Sequence, residues 1–117
     1  MRKVLVIEDD VVIALLLEEQ LAKEGFRVRS VTDPSDFFKY IELWQPQVIV
    51  LDIMMPKISG WEVLQQLKAN ERTKGIKVYM LTALSLMEDV ERALQMGAEG
   101  YFVKPVKMNV LASKLWT

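Results

Sequence analysis

The stretch Val48-Ile49-Val50-Leu51-Asp52-Ile53-Met54-Met55-Pro56 decides how this chain reads. Four consecutive apolar residues, three of them β-branched, form a strand buried on both faces, as in the middle of a parallel sheet. A carboxylate stands at its end. Ligands of open α/β sheets gather beyond the carboxyl ends of the strands, so Asp52 is where chemistry is expected. Three more strand-like runs end in polar groups. Val4-Leu5-Val6-Ile7 leads into Glu8-Asp9-Asp10, Val78-Tyr79-Met80-Leu81 into Thr82, and Tyr101-Phe102-Val103 into Lys104. If these strands lie parallel, one rim of the sheet carries an acid cluster, a hydroxyl and an ammonium around one aspartate.

Strand and helix signals alternate five times along the chain with no linker or low-complexity segment, which predicts an α/β fold with helices on both faces of a parallel sheet. The strands are placed at Lys3–Ile7, Arg27–Val31, Gln47–Leu51, Lys77–Leu81 and Tyr101–Val103. The second, Arg27-Val28-Arg29-Ser30-Val31, alternates polar and apolar residues and belongs at an edge. Asp33 is a candidate helix cap with Pro34 in the first position and Asp36 in the first turn. Ser59-Gly60-Trp61-Glu62 and Ser85-Leu86-Met87-Glu88 both fit a capping box. Gly25 and Gly97 fall where the first and fourth helices should end in left-handed residues. Ile13, Leu16, Leu17 and Leu21 share a face of the first helix, Phe37, Ile41 and Trp44 a face of the second, and Met80 and Met96 read as core. The fifth helix is placed at about Asn109–Trp116.

Composition narrows the function. The chain has 117 residues, the size of one domain, and 51% are hydrophobic, enough for a core. A net charge of −1 gives no electrostatic footprint for nucleic acid. With no cysteine, there is no disulfide framework and no thiolate metal site, and with no histidine either, zinc and imidazole catalysis are disfavoured. No segment resembles a signal peptide or a membrane span, so a cytoplasmic protein without membrane contact is expected.

Glu8, Asp9 and Asp52 would crowd together at the ends of neighbouring strands, and like charges repel strongly at reduced dielectric. A hard divalent cation relieves this, and carboxylates with a carbonyl and waters are the ligands magnesium prefers. Asp10 alone reads as the cap of the first helix. Three carboxylates at this position also argue against a flavin or dinucleotide, whose phosphates need backbone donors there. Thr82 and Lys104 are unremarkable singly. Beside Asp52 they supply a hydroxyl and an ammonium, the groups that stabilise the oxygens of a transferring phosphoryl group, and aspartate serves as a nucleophile in phosphoryl enzymes.

The strings Val6-Ile7-Glu8-Asp9-Asp10, Leu51-Asp52-Ile53-Met54-Met55-Pro56 with Ser59-Gly60, Leu81-Thr82-Ala83, and Gly97-Ala98-Glu99-Gly100-Tyr101-Phe102-Val103-Lys104-Pro105 resemble, in order and spacing, the receiver domain of two-component response regulators. The resemblance covers essentially the whole of residues 1–117 as one domain. It implies a flavodoxin-like, doubly wound sheet of five parallel strands in the order 2-1-3-4-5 with five helices. It implies a phosphorylation-dependent signalling switch with Asp52 as phosphoacceptor. Mg²⁺ would be bound by Asp9, Asp52 and the Met54 carbonyl, with Glu8 acting through water. Thr82 and Lys104 would contact the phosphoryl oxygens, Thr82 and Tyr101 would form the switch, and Lys104–Pro105 would be a cis peptide.

The implied donor is a sensor histidine kinase or a histidine phosphotransfer protein, and the implied recipient of the signal an output domain or downstream protein. Such a domain assists its own phosphorylation and dephosphorylation and turns over no free substrate, so it is not an ordinary enzyme. It is not expected to touch nucleic acid itself, and it could form a homodimer through the face of the fourth helix, fifth strand and fifth helix. Glu8 stands where an aspartate is common in the family, and Ser59 where an acid is usual. Two rivals are an aspartyl-phosphate phosphatase or mutase and a degenerate receiver that only binds partners. The first would need an Asp-x-Asp pair after the first strand, and here the candidate nucleophile follows the third, with Met54 two positions on. The intact set Asp9, Asp52, Thr82 and Lys104 argues against the second. Val11, Val12 and Leu15 widen the apolar arc of the first helix beyond one buried stripe, which reads either as broad burial or as partner docking by Val12, Leu15 and the nearby Val106. Trp116 fits a subunit or interdomain contact. Whether the chain is a whole protein or part of a longer regulator or hybrid kinase is open.

Overall fold

The structure, a computed structural model, describes residues 2–116. Five parallel strands, β1 (Lys3–Ile7), β2 (Arg27–Val31), β3 (Val48–Leu51), β4 (Lys77–Thr82) and β5 (Gly100–Val103), form one sheet in the order 2-1-3-4-5. Five helices cover it: α1 (Val11–Lys23), α2 (Phe37–Trp44), α3 (Gly60–Ala69), α4 (Met87–Gln95) and α5 (Met108–Trp116).

Successive residues of a strand face opposite sides of the sheet, and this builds two cores. Leu5, Ile7, Ile49, Leu51, Val78 and Met80 point toward α2, α3 and α4, where Phe37, Ile41, Val63, Leu64, Leu67 and Ala93 meet them. Val4, Val6, Val48, Val50, Tyr79 and Leu81 point toward α1 and α5, against Leu17, Leu21, Leu111 and Leu115. Most of these side chains are fully buried, and each contributes roughly 1.5–3 kcal/mol relative to exposure. The strand β2 lies at the edge, as its alternation predicts.

Most punctuation falls where the sequence places it. Asp10 caps α1, accepting from the Val12 and Ile13 N–H groups, and Gly25 and Gly97 adopt φ of +98° and +101°. Ser59 caps α3, its Oγ accepting from the Glu62 N–H at 3.3 Å. Asp33 and Pro34 begin a single 3-10 turn, Pro34–Asp36, and α2 follows only at Phe37. Strand β3 starts one residue after Gln47, β4 extends to Thr82, β5 begins at Gly100 and α5 at Met108. Met80 is fully buried, whereas Met96 only packs partly buried against the core.

Two expectations are corrected. Ser85 does not cap α4: Leu86 occupies that position, with no side-chain hydrogen bond, and the helix starts at Met87. Leu84, just before, is already engaged by a local bond to Thr82 and a tertiary bond from Tyr101, a restraint that a local capping rule does not include. Leu16 is not on the buried face. The inward stripe of α1 is Ala14, Leu17 and Leu21 with Ile13 half-buried, and Leu16 is turned out with Val12. Trp116 lies flat on Phe26, ring centroids 4.5 Å apart, so the end of α5 is fastened over the start of β2.

Candidate phosphoacceptor site

The register alone brings the site together. Ile7 pairs with Leu51, Leu51 with Met80, and Thr82 with Val103, so Glu8, Asp52 and Lys104, each one residue past its strand, meet at one rim with Thr82. Glu8, Asp52 and Thr82 are buried, Asp9 half-buried. The Lys104 ammonium donates to Glu8 Oε1 at 2.6 Å and to Asp52 Oδ2 at 3.3 Å. The other Asp52 oxygen, Oδ1, accepts from the Met54 N–H at 3.2 Å. Asp52 is therefore clamped between a side chain just past β5 and its own loop. The peptide bond between Lys104 and Pro105 is cis.

Electrostatics follow from this crowding. Burial pushes the Glu8 carboxyl above its usual range, the Lys104 hydrogen bond pulls it back, and the Asp52 charge pushes it up again, leaving it raised. For Lys104 burial works against the charge, but the Glu8 hydrogen bond and the two carboxylates outweigh it, so the ammonium is held more firmly than usual.

Glu8, Asp9 and Asp52 each offer a carboxylate oxygen, all within 4.8 Å of one another. An octahedral magnesium needs oxygens about 3–4 Å apart, so small rotations suffice, and an all-oxygen, anionic donor set fits that ion. The Met54 carbonyl belongs to the same loop, two residues after Asp52.

Thr82 and Tyr101 meet at a residue that sequence reasoning left aside in this role. The Leu84 N–H donates to Thr82 Oγ1 at 3.3 Å, and the Tyr101 hydroxyl donates to the Leu84 carbonyl at 2.9 Å. The Leu84 backbone thus links the hydroxyl at the end of β4 to the aromatic ring of β5. Burial, then the Asp89 and Asp52 charges, raises the Tyr101 phenol above its ordinary value and keeps it a donor. Two more features were missed. A Cβ on Gly60 would collide with the Asp52 carbonyl oxygen and come within 2.6 Å of the Ile53 Cα, so only glycine lets α3 press this close; the Ser-Gly pair was the available signal. An outer pair, Lys57 to Asp33 at 3.4 Å, joins two loops beside Asp9 and has no local sequence signature.

Around this rim, Val12 and Leu15 of α1 are exposed, together with Val11 and Leu16, so the surplus apolar arc faces outward. Val106 is half-buried against the α1–α5 core. No helix among the described residues is long and apolar enough to cross a membrane.

A doubly wound α/β domain with an acid cluster, a buried threonine and a lysine at the carboxyl rim of its sheet defines a class of phosphoryl-accepting switches. Residues 4–115 match the response regulator receiver domain family. The chain is 37% identical over 115 residues to the transcriptional regulatory protein AfsQ1 of Streptomyces coelicolor, covering 98% of this chain and 50% of that protein. It is 34% identical to the probable transcriptional regulator ycf27 of Cyanophora paradoxa, over 97% of this chain and 46% of that one. The chain thus spans about half the length of the curated relatives it matches. Among solved structures, the signal receiver domain of a DNA-binding response regulator from Colwellia psychrerythraea superposes with a TM-score of 0.92 at 26% identity, covering 99% and 96% of the two chains. The chain belongs to the response regulator receiver domain family, and its function is that of a phosphorylation-dependent signalling switch. Receiver domains generally use Mg²⁺, and the acid cluster is able to bind a metal.

Proposed function

We propose that Asp52 is the phosphoacceptor, taking its phosphoryl group from a phosphohistidine on a sensor histidine kinase or histidine phosphotransfer protein. A carboxylate oxygen attacks phosphorus, the P–N bond breaks, and the departing imidazole nitrogen takes up a proton. Asp9, Asp52 and the Met54 carbonyl would hold Mg²⁺, with Glu8 acting through water, and the bound ion would supply positive charge for the phosphoryl oxygens. Lys104 and Thr82 bind the remaining oxygens. The single observation that carries this reading is the Lys104 ammonium bridging Glu8 and Asp52 at 2.6 and 3.3 Å, because it leaves an anion-binding cation beside a buried nucleophile. Incubation with acetyl phosphate and Mg²⁺ is expected to give a base-labile phosphoryl adduct by intact mass, absent in Asp52→Asn or with a chelator. An adduct persisting in Asp52→Asn moves the acceptor elsewhere.

Readout is proposed to run through Leu84. A phosphoryl oxygen drawing in the Thr82 hydroxyl weakens its bond to the Leu84 N–H and shifts the peptide that holds Tyr101. A ligand biases two states only through contacts that differ between them, and this joint supplies such contacts. With beryllofluoride and Mg²⁺, amide shifts are expected to move across residues 83–90 and 101–108. Changes confined to residues 8–10 and 52–54 would leave no propagated switch.

Exposed Val12 and Leu15, with half-buried Val106, support docking of the donor on α1. A charge at Val12 or Leu15 then slows transfer from a phosphohistidine donor while leaving phosphorylation by acetyl phosphate intact. Exposed Leu86, Met87, Leu94, Val103 and Val110 on α4, β5 and α5 support contact of that face with a second copy or an output domain, measurable as dimerisation by sedimentation. No nucleic-acid contact by this domain and a cytoplasmic setting complete the proposal. So does self-assisted phosphorylation and dephosphorylation without a free substrate.

A further inference from the structure

Met54 and Met55 are neighbours in one loop with opposite surroundings: Met55 is 9% exposed and packs in the core, whereas Met54 is 57% exposed. The Met54 N–H donates to Asp52 Oδ1 at 3.2 Å. With an N–Cα bond of about 1.46 Å, the Met54 Cα lies within about 4.7 Å of that oxygen. Its side chain therefore springs from a Cα tied beside the carboxylate while the chain itself is open to solvent. The chain has no cysteine, so methionine sulfur is its softest oxidisable group. Among the described residues only one other methionine is strongly exposed, Met87 on α4 at 68%.

We propose that Met54 is an oxidation site through which peroxide-class oxidants shorten the phosphorylated state of Asp52, an inference that rests on the reading of Asp52 as phosphoacceptor. The Met54 sulfur attacks the peroxide, an S–O bond forms as the O–O bond breaks, and the departing hydroxide takes a proton and leaves as water. Sulfur is oxidised by two electrons and the peroxide reduced by two. The product, methionine sulfoxide, replaces a weak acceptor with a polar oxygen and is reversible by sulfoxide reductases.

Hydrolysis of an aspartyl phosphate needs water placed in line behind phosphorus. A thioether is only a weak acceptor for such water, so the unoxidised side chain orders it poorly. The sulfoxide oxygen accepts a hydrogen bond from that water and orients it. Selectivity comes from the fold, since Met55, one residue on, is shielded.

The test uses the whole chain in a Met87→Leu background, treated with hydrogen peroxide, mapped by peptide mass for a sulfoxide at Met54, then phosphorylated with acetyl phosphate. Loss of the adduct is followed by intact mass. Phosphate loss is expected to accelerate roughly three- to tenfold on oxidation, the scale of positioning one water, and to return to the starting rate after sulfoxide reductase treatment. Met54→Leu should abolish the response to peroxide, and Met54→Gln, which carries a permanent polar acceptor, should decay faster with no oxidant. If the adduct forms but decays at the same rate with Met54 oxidised, or if Met54→Gln decays no faster, the inference is overturned while the phosphoacceptor reading stands. If no adduct forms on Asp52 before oxidation, both fall.

Discussion

Two lysine–carboxylate pairs sit along the same rim, and they are not equivalent. In the inner one Lys104 is 23% exposed and meets Glu8 at 2.6 Å and Asp52 at 3.3 Å. In the outer one Lys57 is 66% exposed and meets Asp33 at 3.4 Å. The chemistry is the same, but solvent decides its consequence. Buried carboxylates depend on the one cation that faces them, because removing it leaves charge with little water to screen it. An exposed pair loses only what water and salt readily replace.

Breaking each pair sharpens the contrast. The largest effect is expected for Lys104→Ala, which strands Glu8 and Asp52. In metal-free buffer at neutral pH it should lower stability by about 2–4 kcal/mol, at or below the ~3–5 kcal/mol of a fully buried pair because the rim admits some water. Urea unfolding measures this, and added Mg²⁺ should restore part of the loss by supplying another cation. A variant as stable as the parent would show that Lys104 does not hold the acids.

Lys57→Ala should leave the urea midpoint unchanged within error; a clear drop would erase the distinction between the two regions. The smallest effect concerns Asp33, whose carboxyl is held below its ordinary 3.8 first by the Ser35 hydroxyl, then by the Ser35 N–H, with Lys57 adding less. A lowered folded value means a contribution present above pH 3.8 and lost as pH falls through the folded midpoint. Ser35→Ala should move the Asp33 titration, read by carboxyl-carbon NMR, up toward 3.8. No movement would assign the shift to another cause.

The inner pair was largely legible and the outer one was not, for a physical reason. Glu8, Asp52, Thr82 and Lys104 each end an apolar run, and parallel pairing carries such ends to one rim. Asp33 and Lys57 lie in two loops, where nothing local fixes the distance between them. The same limit explains Ser85. Its spacing to Glu88 satisfies a local rule, but Leu84 is held locally by Thr82 and from another strand by Tyr101, and the Tyr101 bond is a tertiary restraint just ahead of the later start of α4. Leu16 was misplaced because an α1 so apolar on its solvent side has more than one plausible inward stripe. Likewise, the Tyr79 hydroxyl reaching the Lys114 carbonyl at 3.1 Å has no signal in either segment.

The missing side chain at Gly60 has a mechanical consequence. With α3 seated against the Asp52 carbonyl and the Ile53 Cα, the wall behind Asp52 is an abutment with no slack, since packed interiors resist compression. Bulk added to Asp52 cannot be absorbed by recoil on the α3 side. It has to be taken up away from α3, where Thr82, Leu84 and Lys104 are held by hydrogen bonds. On the proposed role of Asp52, a single absent methyl group thereby gives the domain a stiff side and a yielding side, and so a direction in which displacement is delivered.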